Sequence, residues 1–157
     1  ENTVTGVAGR KGFSSINIEK YRIHDECGAV RKMLEVLEEH GVNFEHIPSG
    51  IDNFSIVVET TSLGDETDDI VYDIKKVTSA SSVTVENGIA LIAVVGRSMK
   101  STRGVAGTIF SSLAKENINI KMIDQGSSEL NIIVGIHEAD FEKAIKVIYD
   151  MFILSED

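Results

Sequence analysis

Apolar and polar positions follow one another along the chain in an order that predicts a compact α+β unit. A strand-like run over Phe13–Tyr21, with Ile16 and Ile18 on one face, precedes a polar loop and an apolar stripe at helical spacing. Two strands come next, and the second of them alternates with period two. A second helical stripe over about Thr67–Ala80 and a strand over Ser82–Glu86 complete the order βαββαβ. This order predicts an antiparallel sheet covered on one face by two helices.

The same order recurs 76 residues later. The segment GVNFEHIPSGIDNFSIVV (41–58) aligns without gaps with NINIKMIDQGSSELNIIV (117–134), with five identities in 18 positions. The second copy begins at the apolar strand Ile89–Val95 and ends with a helix over Asp140–Phe152. The chain therefore contains two units built on one plan. The apolar stripes predicted to form the helical core positions are Val30, Met33, Leu34, Leu37, Ile70, Ile74 and Val77 in the first copy, and Ala106, Ile109, Phe110, Leu113, Phe141, Ala144, Ile145 and Ile148 in the second.

The second copy lacks a final strand, whereas the segment TVTGVAGR (3–10) is strand-like and precedes the first copy. We predict that this segment completes the second sheet. The first unit, 13–87, is then inserted in the second, which comprises 3–10 and 89–153. The predicted fold is α+β, with two ferredoxin-like units whose antiparallel sheets carry their helices on one face.

The turn at HIPSGID contains the only proline of the chain, Pro48. Because proline cannot donate to a sheet ladder, Pro48 predicts that its strand leaves the neighbouring strand at this point. The alignment places Asp124-Gln125-Gly126 at the same position of the second copy, with Gly50 opposite Gly126. The turn is thus predicted to be a feature of both units.

Charge and composition exclude several classes of function. The net charge is −10, the pI is about 4.8, and the sequence has no basic run, so nucleic-acid binding is not expected. The longest apolar run, Ile89–Val95, is far shorter than the roughly 20 residues of a membrane helix. A single cysteine, Cys27, excludes an internal disulfide and a cysteine-built metal site. A soluble cytoplasmic protein is expected, and a start at Glu1 rather than methionine indicates a fragment or a processed chain.

No catalytic or metal-binding pattern is found. None of the four histidines lies in a metal-ligand motif, and no nucleophile–histidine–acid triad can be assigned from spacing. The loop Gly96–Gly107 joins a strand to a helix, but Lys100-Ser101 precedes its glycine, so it fails the phosphate-loop pattern. We therefore expect no catalytic residues, no metal and no nucleotide cofactor.

A glycine at the start of the first helix of each copy, Gly28 and Gly104, is the strongest candidate for chemistry. The free N–H groups and the positive end of the dipole at a helix start attract a carboxylate, and glycine allows close approach. Four acidic residues near the first of these glycines could hold ammonium groups, which would suit a free amino acid. The alternative, in which Gly28 only caps the helix and the acids are solvated, stays open on spacing alone. These acids are Asp25, Glu26, Glu45 and Asp52.

The segments VTGVAGRKGFSSINIEKY and GAVRKMLEVLEEHGVNFEHIPSGIDNFSIVV resemble the C-terminal regulatory region of bacterial aspartate kinases. The two βαββαβ units resemble the tandem ACT domains of that family, and the resemblance covers about Thr3–Phe152. The motifs AGRKGF and EHIPSGID carry most of its specificity. The family nests its first unit within its second, which agrees with the arrangement predicted from the repeat.

The resemblance implies a feedback sensor that binds an end-product amino acid of the aspartate pathway, with lysine as the first choice and threonine as the second. In the family, the effector pocket lies between the loop and first helical turn after the first strand and the second strand, at a contact between ACT units. Backbone N–H groups near Gly28–Val30 or Gly50–Asp52 are expected to hold the carboxylate, and Glu45 with either Asp52 or Glu26 to hold ammonium groups. The residues that correspond in this sequence are Ile23, Asp25, Glu26, Gly28, Ala29, Val30, Phe44, Glu45, Ser49, Gly50, Ile51 and Asp52.

An equivalent second pocket is implied less directly. Lys121 stands where the first copy has Glu45, so a cation replaces an acid and the second pocket is not expected to take the same ligand. The aligned residues are Met99, Ser101, Gly104, Gln125, Gly126 and Ser127.

The resemblance also implies what the chain does in its parent protein. The lysine and glycine-rich motifs of the family's kinase domain are not recognisable here, so these residues alone are not expected to phosphorylate aspartate, and ATP and magnesium would belong to the kinase domain. The implied partners are a free amino acid, a second copy in a homodimer formed through ACT units, and the kinase domain of the same chain. The alternative is a dimerisation module that binds no ligand.

Overall fold

The computed structural model describes residue 4 and residues 6–96, 104–125 and 131–152. Within these residues the strands are hydrogen-bonded in the order β2-β1-β3-β5-β4, and short 3-10 turns span Ile23–Asp25 and Glu138–Asp140. No helix in this part of the chain is long and apolar enough to cross a membrane. The elements are β1 (Gly6–Glu19), α1 (Ala29–Glu39), β2 (Asn53–Glu59), α2 (Thr60–Leu63), α3 (Thr67–Thr78), β3 (Ser82–Val95), α4 (Val105–Lys115), β4 (Ile120–Asp124), β5 (Asn131–His137) and α5 (Phe141–Phe152).

Strands β1 and β3 are each longer than predicted, since each joins two segments that the sequence pattern separated. The part of segment 3–10 from Gly6 onward and the predicted strand Phe13–Tyr21 form one strand that ends at Glu19, and Ser82–Glu86 continues into Ile89–Val95. Gly12 and Gly88, with φ of 89° and 74°, lie where the breaks were expected. Glycine adopts this conformation without steric cost, so hydrogen bonding continues through a residue that the pattern treats as a turn.

Residue contacts divide the chain into two units. The first unit is Gly12–Asn87, and the second consists of the chain up to Lys11 together with the chain from Gly88 onward. We propose that the first unit is inserted in the second, as the missing final strand of the second copy suggests.

The core of the first unit lies between the helices and one face of its strands. Strands β1 and β2 are antiparallel, with Ile16 opposite Ile56, and alternate residues of both strands pack against α1 and α3. Val77 was predicted to belong to this core, but 38% of it is exposed. The buried stripe of α3 runs through Ile70 and Ile74 to Thr78. The Thr78 hydroxyl can be buried because it donates a hydrogen bond to the Ile74 carbonyl.

The core of the second unit repeats this arrangement. Strand β5 pairs antiparallel with both β3 and β4, with Ile92 opposite Val134. Helices α4 and α5 cover the same face through Ile109, Leu113 and Ile148, which are fully buried. The predicted α+β class is therefore confirmed.

The gap-free alignment of the two copies is wrong after residue 46. His46 pairs with Val57, and its counterpart Met122 pairs with Gly135. Met122 lies 76 residues after His46, whereas Gly135 lies 78 residues after Val57. The second copy therefore has two more residues in the turn before its last paired strand. A shift of two residues along a strand leaves the alternation of buried and exposed positions unchanged, which is why the sequence pattern did not reveal it.

The segment before β2 forms isolated bridges rather than the full strand that was predicted, and the expected departure at Pro48 is wrong. The Ser55 N–H donates to the Pro48 carbonyl at 2.9 Å, and the Gly50 N–H donates to the Asn53 carbonyl at 2.9 Å. The backbone thus stays with β2 beyond the proline. Proline supplies an acceptor but no donor, so the ladder continues with one hydrogen bond fewer than an ordinary residue would allow.

His40 links the end of α1 to α3. Its Nε2 lies 2.9 Å from Asp73 Oδ2, and its Nδ1 lies 3.6 Å from Glu66 Oε1. The hydrogen bond to Asp73 raises the pKa of His40 above its ordinary value of 6.5, with a smaller contribution from Glu66, while burial acts in the opposite direction. Because the pKa of His40 is higher in the folded state than in the unfolded state, the stabilisation from its charged imidazole is fully present below pH 6.5. This stabilisation is lost as the pH rises through the folded-state pKa.

We expect the free energy of unfolding of the wild type to fall by about 1 kcal/mol relative to a His40→Gln variant as the pH is raised from about 6 to about 8, because the partly exposed pair is worth no more than that. Urea unfolding of both proteins at several pH values measures the difference. Parallel pH profiles would show that the imidazole charge does not stabilise the contact between α1 and α3.

Candidate functional site

The loop after β1 is tied to the turn after Pro48 by Arg22 and Asp52. The Arg22 N–H donates to Asp52 Oδ1 at 2.7 Å, and the Lys20 N–H donates to the Asp52 carbonyl at 3.0 Å. The Arg22 guanidinium group also contacts the Asp25 carboxylate, with two nitrogen–oxygen distances of 2.6 Å. Asp25 and Asp52 therefore both contact Arg22, Asp25 through the guanidinium group and Asp52 through the backbone N–H.

Glu26 lies between two lysines. Its carboxylate is 2.5 Å from Lys20 Nζ and 3.3 Å from Lys32 Nζ. Hydrogen bonds from Lys20, and then from Lys32, lower the pKa of Glu26 below its ordinary value. Lys20 Nζ also donates to the Thr78 carbonyl at 2.8 Å. Glu26 therefore holds the loop in place, and its charge is already neutralised.

The N-terminus of α1, which was predicted to bind a carboxylate, follows Gly28. Gly28 caps the helix with φ of 85° and ψ of 6°, and no side chain caps the first turn. The Ala29 N–H donates to the Glu26 carbonyl at 3.3 Å. Ala29 and Ile23 are buried and Val30 packs against the core, so the side chains of these three residues anchor the loop to the core.

The remaining predicted residues lie in two different places. Phe44 borders a pocket of about 270 Å³ near the second half of α1, whose other lining residues include Leu34 and Leu37. In the turn, Ser49 and Ile51 are exposed. The Gly50 N–H, which was expected to hold a carboxylate, already donates to Asn53 within the turn and is not available. Glu45 is exposed on the segment that carries Phe44.

Sequence reasoning missed the three cations of the site. Lys20, Arg22 and Lys32 lie within six residues of Glu26 or Asp25 in the sequence, yet only the acids were considered. Spacing on a helix gave one usable signal, since Lys32 lies one turn after Gly28 and so on the same side of α1 as the loop. The pairing of Arg22 with Asp52 depends on contact between distant segments and had no local signal.

The second copy reproduces the backbone but not the charges. Gly104 caps α4 with φ of 84° and ψ of 2°, nearly the values of Gly28. Lys121 falls at a register shift between β4 and β5, and Gln125 is exposed after β4. Met99, Ser101, Gly126 and Ser127 lie outside the described residues, and the described residues hold no cluster that could bind a metal.

Two similar units, each an antiparallel sheet with helices on one face, agree with a family model described as an ACT domain, which matches residues 92–152. Aspartokinase 3 of Bacillus subtilis is 39% identical over 150 residues, which are 95% of this chain and 33% of that protein. The aspartate kinase of Clostridium acetobutylicum has a crystal structure similar to this one, with a TM-score of 0.92 and 50% identity over 96% of this chain and 35% of that chain.

These comparisons place the chain in the class of ACT-domain proteins. A structure of aspartokinase alpha and beta subunits matches 95% of this chain and 98% of its own, with a TM-score of 0.83 and 29% identity. The chain belongs to the regulatory ACT region of the aspartate kinases. It spans about a third of the Bacillus subtilis protein and about a third of the Clostridium acetobutylicum chain.

Proposed function

We propose that this chain is the part of an aspartate kinase that binds an end-product amino acid and transmits feedback inhibition, with lysine as the first-choice effector and threonine as the second. The parent protein would be a cytoplasmic enzyme that transfers the phosphoryl group of ATP to the aspartate carboxylate. Effector binding would change the arrangement of ACT units and so bias the attached kinase domain, which is a coupling free energy between two sites. A structure of the Escherichia coli aspartokinase III with lysine and aspartate has this fold, at 21% identity.

The observation that carries the proposal is the uncapped N-terminus of α1, in a loop fixed from both sides. The first-turn N–H groups of a helix bind anions, and no side chain occupies them here. Arg22 and Asp52 hold the loop against the turn, while Glu26 with its two lysines holds it against the end of α3. A fixed loop presents these donors without an ordering cost at the moment of binding. The effector carboxylate is proposed to bind there.

The ammonium groups have fewer acids available than the sequence suggested. Asp25 is paired with the Arg22 guanidinium group, and Glu26 is paired with Lys20 and Lys32, whereas within the described residues the Asp52 carboxylate accepts only the Arg22 backbone N–H. Exposed Glu45 and exposed Asp52 are the predicted acids that remain for ammonium groups, and Glu45 is proposed for the side-chain ammonium of lysine. This assignment makes Glu45 the residue that would distinguish lysine from threonine, since threonine has no second ammonium group.

We expect Glu45→Gln to weaken lysine binding about tenfold, because it removes one charge-assisted contact, and to leave threonine binding nearly unchanged. Isothermal titration calorimetry with lysine, threonine and methionine measures each affinity. The matched control is Glu39→Gln, the same change at an exposed position of α1 in the same unit.

Unchanged lysine affinity in Glu45→Gln would remove Glu45 from the site. Absence of heat with all three amino acids, for a folded wild type, would remove the sensor function from this chain. The dimerisation module without a ligand would then be the better description.

A further inference from the structure

The loop before α1 contains a cation of the protein, Arg22. Its guanidinium group contacts Asp25 Oδ2 through two of its nitrogens, each at 2.6 Å. The side chains of Arg22 and Asp25 are 64% and 42% exposed, so the pair is open to solvent. The backbone N–H of the same arginine donates to Asp52 Oδ1 at 2.7 Å. Arg22 therefore contacts one acid of the loop and one acid of the turn after Pro48.

The backbone of Arg22 keeps this cation in the loop. Arg22 has φ of 54° and ψ of 36°, the left-handed conformation that residues other than glycine adopt uncommonly. Such a conformation persists where the surrounding structure stabilises it, and the hydrogen bond to Asp52 does so here. The residue directly precedes the short turn Ile23–Asp25, so its guanidinium group meets the carboxylate at the end of that turn.

The contacts of the loop and the turn connect equal numbers of acids and cations. Glu26 lies 2.5 Å from Lys20 Nζ and 3.3 Å from Lys32 Nζ, and Arg22 adds a third cation. The chain as a whole has a net charge of −10, so this local balance is not the average of the protein. Removing the Arg22 charge would shift the balance by one unit toward negative charge. The groups connected are Asp25, Glu26 and Asp52 as acids and Lys20, Arg22 and Lys32 as cations.

The two proposed effectors differ in net charge. At neutral pH lysine has two ammonium groups and one carboxylate, so its net charge is +1, whereas threonine is neutral overall. A cation of the protein near the site opposes the binding of a ligand with net positive charge, and its net effect on a neutral zwitterion is much smaller. The charge of Arg22 therefore acts on the choice between the two amino acids.

We propose that Arg22 is a specificity-determining residue, whose charge limits the preference of the site for a cationic amino acid over a neutral one. The inference rests on the proposed function, because it concerns the same site. It requires no contact between Arg22 and the effector, since the guanidinium group acts through its charge and through its pair with Asp25.

We expect Arg22→Gln to raise the affinity for lysine relative to threonine about threefold, the size of one unit charge acting over roughly 6 Å in surroundings close to water. Isothermal titration calorimetry with each amino acid measures the ratio of the two affinities, and circular dichroism checks the fold. Arg22→Lys retains the charge and should retain the wild-type ratio. The matched control is Lys146→Gln, which removes an ion-paired, 78% exposed cation from α5 of the second unit and should leave the ratio unchanged.

Two further measurements separate charge from a structural effect of the substitution. The double variant Arg22→Gln with Asp25→Asn removes one cation and one acid, so its ratio should return toward that of the wild type. Raising the salt concentration from about 0.1 M to about 1 M shortens the screening length from about 10 Å to about 3 Å. The difference between Arg22→Gln and the wild type should therefore shrink at high salt.

An unchanged ratio in Arg22→Gln, or an equal rise in Lys146→Gln, would overturn this inference while leaving effector binding intact. A ratio that stays raised in the double variant, or that does not respond to salt, would contradict an effect of charge. If the folded wild type gives no heat with either amino acid, the proposed function fails, and this inference fails with it.

Discussion

Replacing Ile74 with alanine is expected to lower the free energy of unfolding by about 2–5 kcal/mol, the largest effect anticipated for a single change in the first unit. Ile74 is fully buried on α3 and packs in the core between the helices and the strands β1 and β2. Removing three carbons there loses their burial and leaves a cavity that the surrounding side chains can fill only in part. Chemical unfolding followed by circular dichroism measures the loss.

The matched control lies on the same helix. Val77 is 38% exposed, so Val77→Ala is expected to change stability by no more than about 0.5 kcal/mol. In the second unit, Ile148 on α5 is the counterpart of Ile74 and is also fully buried. Ile148→Ala should therefore cost as much as Ile74→Ala. A loss below 1 kcal/mol for Ile74→Ala would contradict the core described here.

The contrast between Ile74 and Val77 shows how far periodicity could predict the core. A helical stripe predicted Ile70, Ile74 and Val77 together, because residues three and four apart share a face. In the last turn, however, the buried position belongs to Thr78, whose hydroxyl is satisfied by the Ile74 carbonyl. A polar residue that satisfies itself within its own helix is buried without an apolar signal, so the pattern could not identify it.

Strand alignment failed for a related reason. Period two identified the buried face of β2 and β5 correctly, but it cannot distinguish a register from one shifted by two residues. The longer turn of the second copy was therefore hidden, and Gly50 was matched with Gly126 although the two turns differ in length. Only pairing across the sheet, such as Met122 with Gly135, fixes the register.

The site was predictable in its backbone and not in its charges. The position of Gly28 before an apolar stripe indicated a helix start with free donors, and the structure places an uncapped turn there. The acids around it were predicted to bind ammonium groups of a ligand. Sequence spacing does not show which lysines and arginines of the protein pair with these acids in the folded chain. Arg22 reaches both Asp25 and Asp52 through an unusual conformation with φ of 54°, which no local pattern predicts for an arginine.

The pair Gly28 and Gly104 offers the sharpest separation of stability from binding. Gly28→Val and Gly104→Val are each expected to lower the free energy of unfolding by about 2 kcal/mol, because a side chain at positive φ is strained. Both glycines have φ near 85°, and a Cβ at either would meet nothing within 4 Å. The two costs are therefore conformational and should be equal.

Their effects on the effector should differ. If the carboxylate binds the first turn of α1, a valine side chain at position 28 stands in its approach, and lysine affinity should fall about tenfold or more, which equals about 1.4 kcal/mol. Gly104→Val should leave that affinity unchanged, since Lys121 has replaced the acid of the first copy. Calorimetry on both variants, at a temperature where both are folded, gives the comparison. Equal losses of lysine affinity in the two variants would mean that the loss results from reduced stability and not from a blocked site. A loss in Gly104→Val alone would assign the lysine site to the second unit.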